Sequence, residues 1–143
     1  MIMAYSTQDD LLEQITEAEL IELTDDAGDG EVDSEVVARA IADADATIDA
    51  YCQGRYGVPL SPVPAMIRAV SVDMAIYNLL SRKNEEVPKV RDDRNRNAVR
   101  FLERVAEGKI RLGASTPAQA NTEHSVSIES GRRIFTRGKM SGY

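Results

Sequence analysis

Cys52 and His124 stand out in any search for reaction chemistry, because the chain has one cysteine and one histidine. A thiol nucleophile needs a base within hydrogen-bond reach, so His124 would have to fold back onto Cys52. Zinc takes three or four thiolate, imidazole or carboxylate ligands, and this pair cannot assemble the usual sets. Cys52 also falls beside an apolar stripe of helical spacing, where a small thiol packs as a hydrophobe. It reads as a buried, inert cysteine.

The run Asp25-Asp26-Ala27-Gly28-Asp29-Gly30 invites a calcium reading. With Asp25 at the first position of an EF-hand loop, Asp29 and Gly30 fit the fifth and sixth. Ala27 then stands at the third position and Val36 at the twelfth, where oxygen ligands are needed. A solvated turn between helices fits the residues better. Carboxylates crowd the first 50 residues, but crowding does not make a tuned acid–base pair in a cleft. The sequence holds neither a Gly-rich phosphate loop ending in Lys-Ser/Thr nor a dinucleotide fingerprint. These residues point away from an enzyme and away from a cofactor.

Basic residues form the third constellation: Lys89, Arg91, Arg94, Arg96, Arg100 and Arg104, with Arg82 and Lys83 upstream. A cationic helix of this kind can track a nucleic-acid backbone, so a small nucleic-acid-binding module is the alternative reading. The net charge of −7 argues against it, because an acidic body repels phosphates. The charge is also divided along the chain. Residues 1–50 carry 15 acids and one base, Arg39, for −14. Residues 51–112 carry 7 acids and 12 bases, for +5, and residues 113–143 add +2. Two halves of opposite sign could pair between copies of the chain, or stand as two solvated faces.

The elements that must position these groups are mostly helices. Ser6 or Thr7 can cap a first short helix that ends near Ile15, with acids in its first turn. Thr16 and Glu19 have capping-box spacing and open a second one, which carries Leu20, Ile21 and Leu23. Asp33 or Ser34 caps a third. Its stripe is Val37, Ile41, Ala44, Ile48 and Tyr51, with Ala40 and Cys52 beside it and Asp43, Asp45 and Asp49 off it. This helix ends near Gly54 or Gly57, spans about 30 Å at 1.5 Å per residue, and is expected to be the spine. Pro59, Pro62 and Pro64 stiffen the connector after it. A second long helix carries Met66, Ile67, Val70, Met74, Tyr77 and Leu80, and stops after Ser81. A charged loop is expected over 85–93, then a fifth helix over 91–107 with Gly108 as its C′ residue.

Helical periodicity stops near Gly113. Ser125-Val126-Ser127-Ile128-Glu129 alternates with period two, and Arg133-Ile134-Phe135-Thr136-Arg137 does so more weakly. This suggests a short hairpin or two extended strands. A lone two-stranded hairpin is marginal in water, so order is expected only on a partner, and the bland reading is a disordered tail. The expected fold is mainly α: a bundle of four to five helices with two long ones, plus an extended C-terminal arm. The body is 1–112 and the arm 113–143. The length suits one domain, and the single cysteine excludes an internal disulfide and fits a reducing compartment. The first residues lack the pattern of a signal peptide, and no window resembles a membrane span. The expectation is a soluble protein made in a cytoplasm.

Several stretches, in this order, resemble a family of small neck proteins of Mu-like phages and prophages. They are Met3-Ala4-Tyr5-Ser6-Thr7, Glu19-Leu20-Ile21-Glu22-Leu23-Thr24-Asp25, Ile48-Asp49-Ala50-Tyr51 and Gly54-Arg55-Tyr56-Gly57-Val58-Pro59-Leu60. Phe101-Leu102-Glu103-Arg104-Val105-Ala106-Glu107-Gly108-Lys109-Ile110 and the closing Arg133-Ile134-Phe135-Thr136-Arg137, with Met140 and Gly142, complete the pattern. The Arg-Tyr-Xaa-Xaa-Pro-Leu and Arg-Xaa-Phe-Thr-Arg stretches are its most specific parts. The stretch 85–93 departs from the pattern and leaves the local contact there in doubt. The family is similar in helical architecture to the head–tail connector (adaptor) proteins of long-tailed phages. That resemblance implies a structural protein of the virion neck, made in the bacterial host cytoplasm. It implies a ring of about twelve copies under the portal, held by heterologous contacts. Its partners would be its own copies, the portal protein and a tail-side neck or terminator protein. Double-stranded DNA would pass through without sequence-specific contact, and no membrane or cofactor is involved. Ile128, Arg133, Ile134, Phe135, Thr136, Arg137 and Met140 are the expected docking residues of the arm. Arg55, Tyr56, Arg94, Arg100 and Arg104 are the expected contacts between subunits.

Overall fold

The computed structural model describes residues 4–82 and 86–113. It contains α1 (Gln8–Leu12), α2 (Glu17–Thr24), α3 (Ser34–Cys52), α4 (Ala65–Ser81) and α5 (Lys89–Ala106). The described residues are thus mainly helical, with no strand among them. The arm, with the hairpin expected in it, lies beyond them.

The helix starts follow local chemistry. The hydroxyls of Thr7 and Thr16 accept from the amides of Asp10 and Glu19, whose carboxylates reach back to the amides of Thr7 and Thr16. Asp33 caps α3 by accepting from the amides of Glu35 and Val36. α5 begins at Lys89, directly after Pro88, so the loop expected over 85–93 gives way to helix. Pro88 at φ −57° is already close to helical φ, and Asp92 sits in the first turn, where the helix dipole favours an acid. At 18 residues α5 matches α3 (19) and α4 (17), so there are three long helices and not two.

α3, α4 and α5 pack on one another in an up–down–up arrangement, with α1 and α2 against α3 and α4. The directions follow from the pairings. Ser71 meets Asp45 and Asn78 meets the Ala40 carbonyl, so α4 runs against α3. Arg55, just past α3, meets the end of α5, so those two helices run together. One end of the bundle carries the acidic 25–33 loop. The other carries the 53–64 connector and the segment that leaves α5.

The core corrects two expectations. α3 is not a lone spine, because α3 and α4 both touch every other helix. The buried sector of α4 is also wider than the stripe read from sequence. Val72, Ala75, Ile76 and Leu79 are buried on it, Tyr77 and Leu80 are half-buried, and Met66 is 52% exposed. A helix covered by α3, α5 and the α1–α2 segment buries several sides, which a single-stripe pattern does not reveal. Fully buried Leu20, Ile48, Ile67, Leu79 and Leu102 each contribute roughly 1.5–3 kcal/mol through removal from water.

Candidate functional site

A buried polar network lies where the N-terminal segment crosses α3 and α4. Asp45 is 6% exposed, which overturns its expected place off the apolar stripe. Its carboxylate accepts from the Tyr5 amide at 2.9 Å and the Ser71 hydroxyl at 2.7 Å. Ser71 also shares a 2.7 Å hydrogen bond with Ser6. The Tyr5 hydroxyl donates to the Asp49 carboxylate and accepts from the Leu60 amide at 2.8 Å. Burial pushes the Asp45 carboxyl above the usual carboxylate range, against the pull of its two hydrogen bonds, and Asp49 adds to the rise. Burial and then the bond to Asp49 raise the Tyr5 phenol. Burial, with Asp49 adding, pushes the Cys52 thiol up to about 11, so it stays protonated at neutral pH. The polar groups in this network are partnered, and it ties three segments of the chain together.

The acidic loop serves its own backbone. The Asp25 carboxylate accepts from the amides of Gly28, Asp29 and Gly30 at 2.9, 2.9 and 2.7 Å. Gly28 and Gly30 both have positive φ, which aims these amides inward. The residue placed at the first calcium position is therefore a loop organiser. Among the described residues no three His, Cys, Asp or Glu side chains converge to hold a metal ion.

The basic half is partly spent inside the chain. Arg82 donates to the Leu23 carbonyl at 2.9 Å, at the end of α2, and pairs with Asp26. Arg91 donates to the Gln14 carbonyl, just past α1, at 3.1 Å, and its Nη1 is buried without a partner among the described residues. The Leu23 carbonyl is one that the end of α2 leaves open and the Gln14 carbonyl lies just past the C-cap of α1, and neither helix has a basic residue in its own last turn. Arg94 donates to the Gln14 side chain at 3.0 Å and lies 3.6 Å from Asp73. It lines an open cleft of about 220 Å³ together with Arg68, Asp10, Glu13 and Asp73, so the charges there are mixed. Lys89 pairs with Asp93 and Arg96 with Asp92. Arg100 and Arg104, one turn apart on the outer side of α5, are exposed and have no ion pair among the described residues. Of the expected subunit contacts, these two are the most available.

Arg55 and Tyr56 hold the segment that leaves α5. α5 ends in a Schellman turn: the Gly108 amide bonds the Val105 carbonyl and the Lys109 amide the Arg104 carbonyl. Gly108 takes φ +83° as its C′ residue. Arg55 donates from Nε to the Ala106 carbonyl at 3.0 Å and from Nη2 to the Glu107 carbonyl at 3.3 Å. Its guanidinium lies over Gly108, 2.6–2.8 Å from where a Cβ would sit. Tyr56 is 7% exposed, and its hydroxyl accepts from the Leu112 amide at 3.0 Å. Ile110 and Leu112 lie half-buried against the core. The arm residues Ile128, Arg133, Ile134, Phe135, Thr136, Arg137 and Met140 lie outside the described residues, as does His124.

The family model described as Bacteriophage Mu, Gp36 matches residues 5–130. The chain belongs to this phage protein family. It is 34% identical to Gene product J of Escherichia phage Mu over 145 residues, which covers 99% of each chain. It is 35% identical over 113 residues to the Mu-like prophage FluMu protein gp36 of Haemophilus influenzae, covering 78% of each.

Three of the Gp36-like stretches meet at one end of the bundle. Tyr5 holds the Leu60 amide, Arg55 holds the end of α5, and Tyr56 holds Leu112. The sequence marked Tyr5, Arg55 and Tyr56 only through this resemblance. Their hydroxyl and guanidinium partners lie 44–56 positions away, beyond the reach of local spacing. No helix of the described residues is long and apolar enough to cross a membrane.

Proposed function

We propose that this Gp36 family protein is a non-catalytic head–tail connector of the virion neck. In this reading the helical body joins copies of itself in a ring beneath the portal, and DNA passes through the ring. The C-terminal arm reaches the portal or a tail-side neck protein. The observation that carries the reading is the likeness to phage Mu Gene product J along the whole length of both chains. The build of the molecule supports it. The body is closed by its own packing, and the bonds from Arg55 and Tyr56 fix the point from which the chain continues toward the arm. Arg100 and Arg104 leave positive charge available to a neighbouring copy on the outer side of α5. Because Arg91 and Arg94 on α5 and Arg82 just past α4 are engaged internally, the basic stretch offers a phosphate backbone fewer cations than its sequence suggests, which favours the connector over a nucleic-acid-binding module.

Truncation after Leu112 tests the arm. The shortened chain is expected to keep its helical content and melting temperature, and to lose the ability to join DNA-filled heads to tails in an assembly extract. Joining at the level of the full chain would refute the docking role.

A further inference from the structure

We infer that Arg55 and Tyr56 are positioning residues for the arm: together they form a clamp that sets where, and in which direction, the chain leaves the body. This rests on the connector reading, and it assigns these two side chains to the arm's root and not to a neighbouring subunit.

Several local contacts concentrate on the short stretch 107–113. A Schellman turn alone ends a helix and leaves the following residues free to diverge. Here two further ties come from the connector after α3. Arg55 presents two nitrogens to two successive carbonyls, Ala106 and Glu107, so the final turn of α5 is held in one orientation. Five positions beyond Glu107, the buried Tyr56 hydroxyl accepts the Leu112 amide at 3.0 Å. The stretch between the ties lays Ile110 and Leu112 on the core. Gly113, at φ +78°, then turns the backbone immediately after the second tie.

Gly108 belongs to the clamp. A side chain there would be strained at φ +83°, and its Cβ would stand 2.6 Å from the Arg55 Cζ. The guanidinium is the end of a flexible side chain, so an added methyl moves Arg55 off its two carbonyls. The charge on Arg55 also meets the negative end of the α5 dipole. A lysine, as a point donor, would keep that attraction but lose the two-carbonyl fork.

An arm that must find a partner benefits from a fixed root, because orientation set in advance lowers the entropy lost on docking. Release of the root is therefore expected to weaken docking while the bundle stays folded.

The test uses the full chain with Tyr56→Phe, which keeps the ring in its pocket and removes only the hydroxyl. One neutral hydrogen bond corresponds to roughly a five-fold change in a local opening equilibrium. The Leu112 amide should exchange with solvent about five-fold faster, with the melting temperature nearly unchanged and head–tail joining reduced. Arg55→Lys, at an exposed position, is a second variant with the same expected pattern at the Glu107 and Gly108 amides. Unchanged exchange in both variants would overturn the clamp. Faster exchange with full joining would overturn the positioning role while the connector reading stands. If truncation after Leu112 leaves joining intact, the docking role of the arm fails, and the positioning role fails with it.

Discussion

Asp25 and Asp45 lie in the same acidic half of the chain and do opposite things with similar hydrogen bonds. Asp25 collects three backbone amides at the surface end of the bundle, where water can replace any of them. Asp45 collects one amide and one hydroxyl in the core, where nothing else can. Bond number does not rank the two sites. The environment does, because an unsatisfied donor is costly only when water is excluded. The same exclusion raises Asp45's affinity for its proton. Stability and pH dependence should therefore concentrate at Asp45.

The largest expected effect comes from Asp45→Ala. It strands the Tyr5 amide and breaks the link to Ser71, and should lower stability by about 2 kcal/mol at pH 7 in a urea titration. A loss as small as that of a surface variant would show that the core network is dispensable. Asp45→Asn gives a subtler change. Its carbonyl oxygen can still accept from Tyr5, and the Ser71 hydroxyl can turn to accept from its amide. Because Asp45 has a raised value in the folded state, it adds stability that is complete below the unfolded value of about 3.9. That stability is lost as pH rises through the folded value. The parent should therefore lose stability relative to Asp45→Asn over this window, read as urea midpoints from pH 3.5 to 7. Parallel pH curves would mean that Asp45 titrates alike in both states. The smallest effect belongs to Asp25→Ala, which should cost under about 1 kcal/mol in the same titration, since the freed amides are exposed.

The outline of the molecule is legible in the sequence. Thr16 and Glu19 marked one helix start, Asp33 or Ser34 another, and Gly108 a helix end, because caps are set by residues two to four positions apart. α5 starts at Lys89 and not at the expected Arg91, because Pro88, which reads as a loop breaker, stands as its N-cap and lets the helix begin directly after it. The site was less legible. Arg55 and Tyr56 were marked by family likeness, but their partners were not, and Arg91 and Arg94 read as a free basic face although both reach back to Gln14.

The sequence by itself determined where helices form, which apolar residues they must bury, and the opposition of an acidic first half to a basic second. Only the tertiary structure decided which charges remain available. It placed Asp45 under Tyr5, 40 positions away, and set Arg55 on the end of α5, 51 positions away. Local spacing carries the period of a helix but not the identity of what packs across it. Whether a charged side chain is a surface group, a core anchor or a helix cap depends on that neighbour.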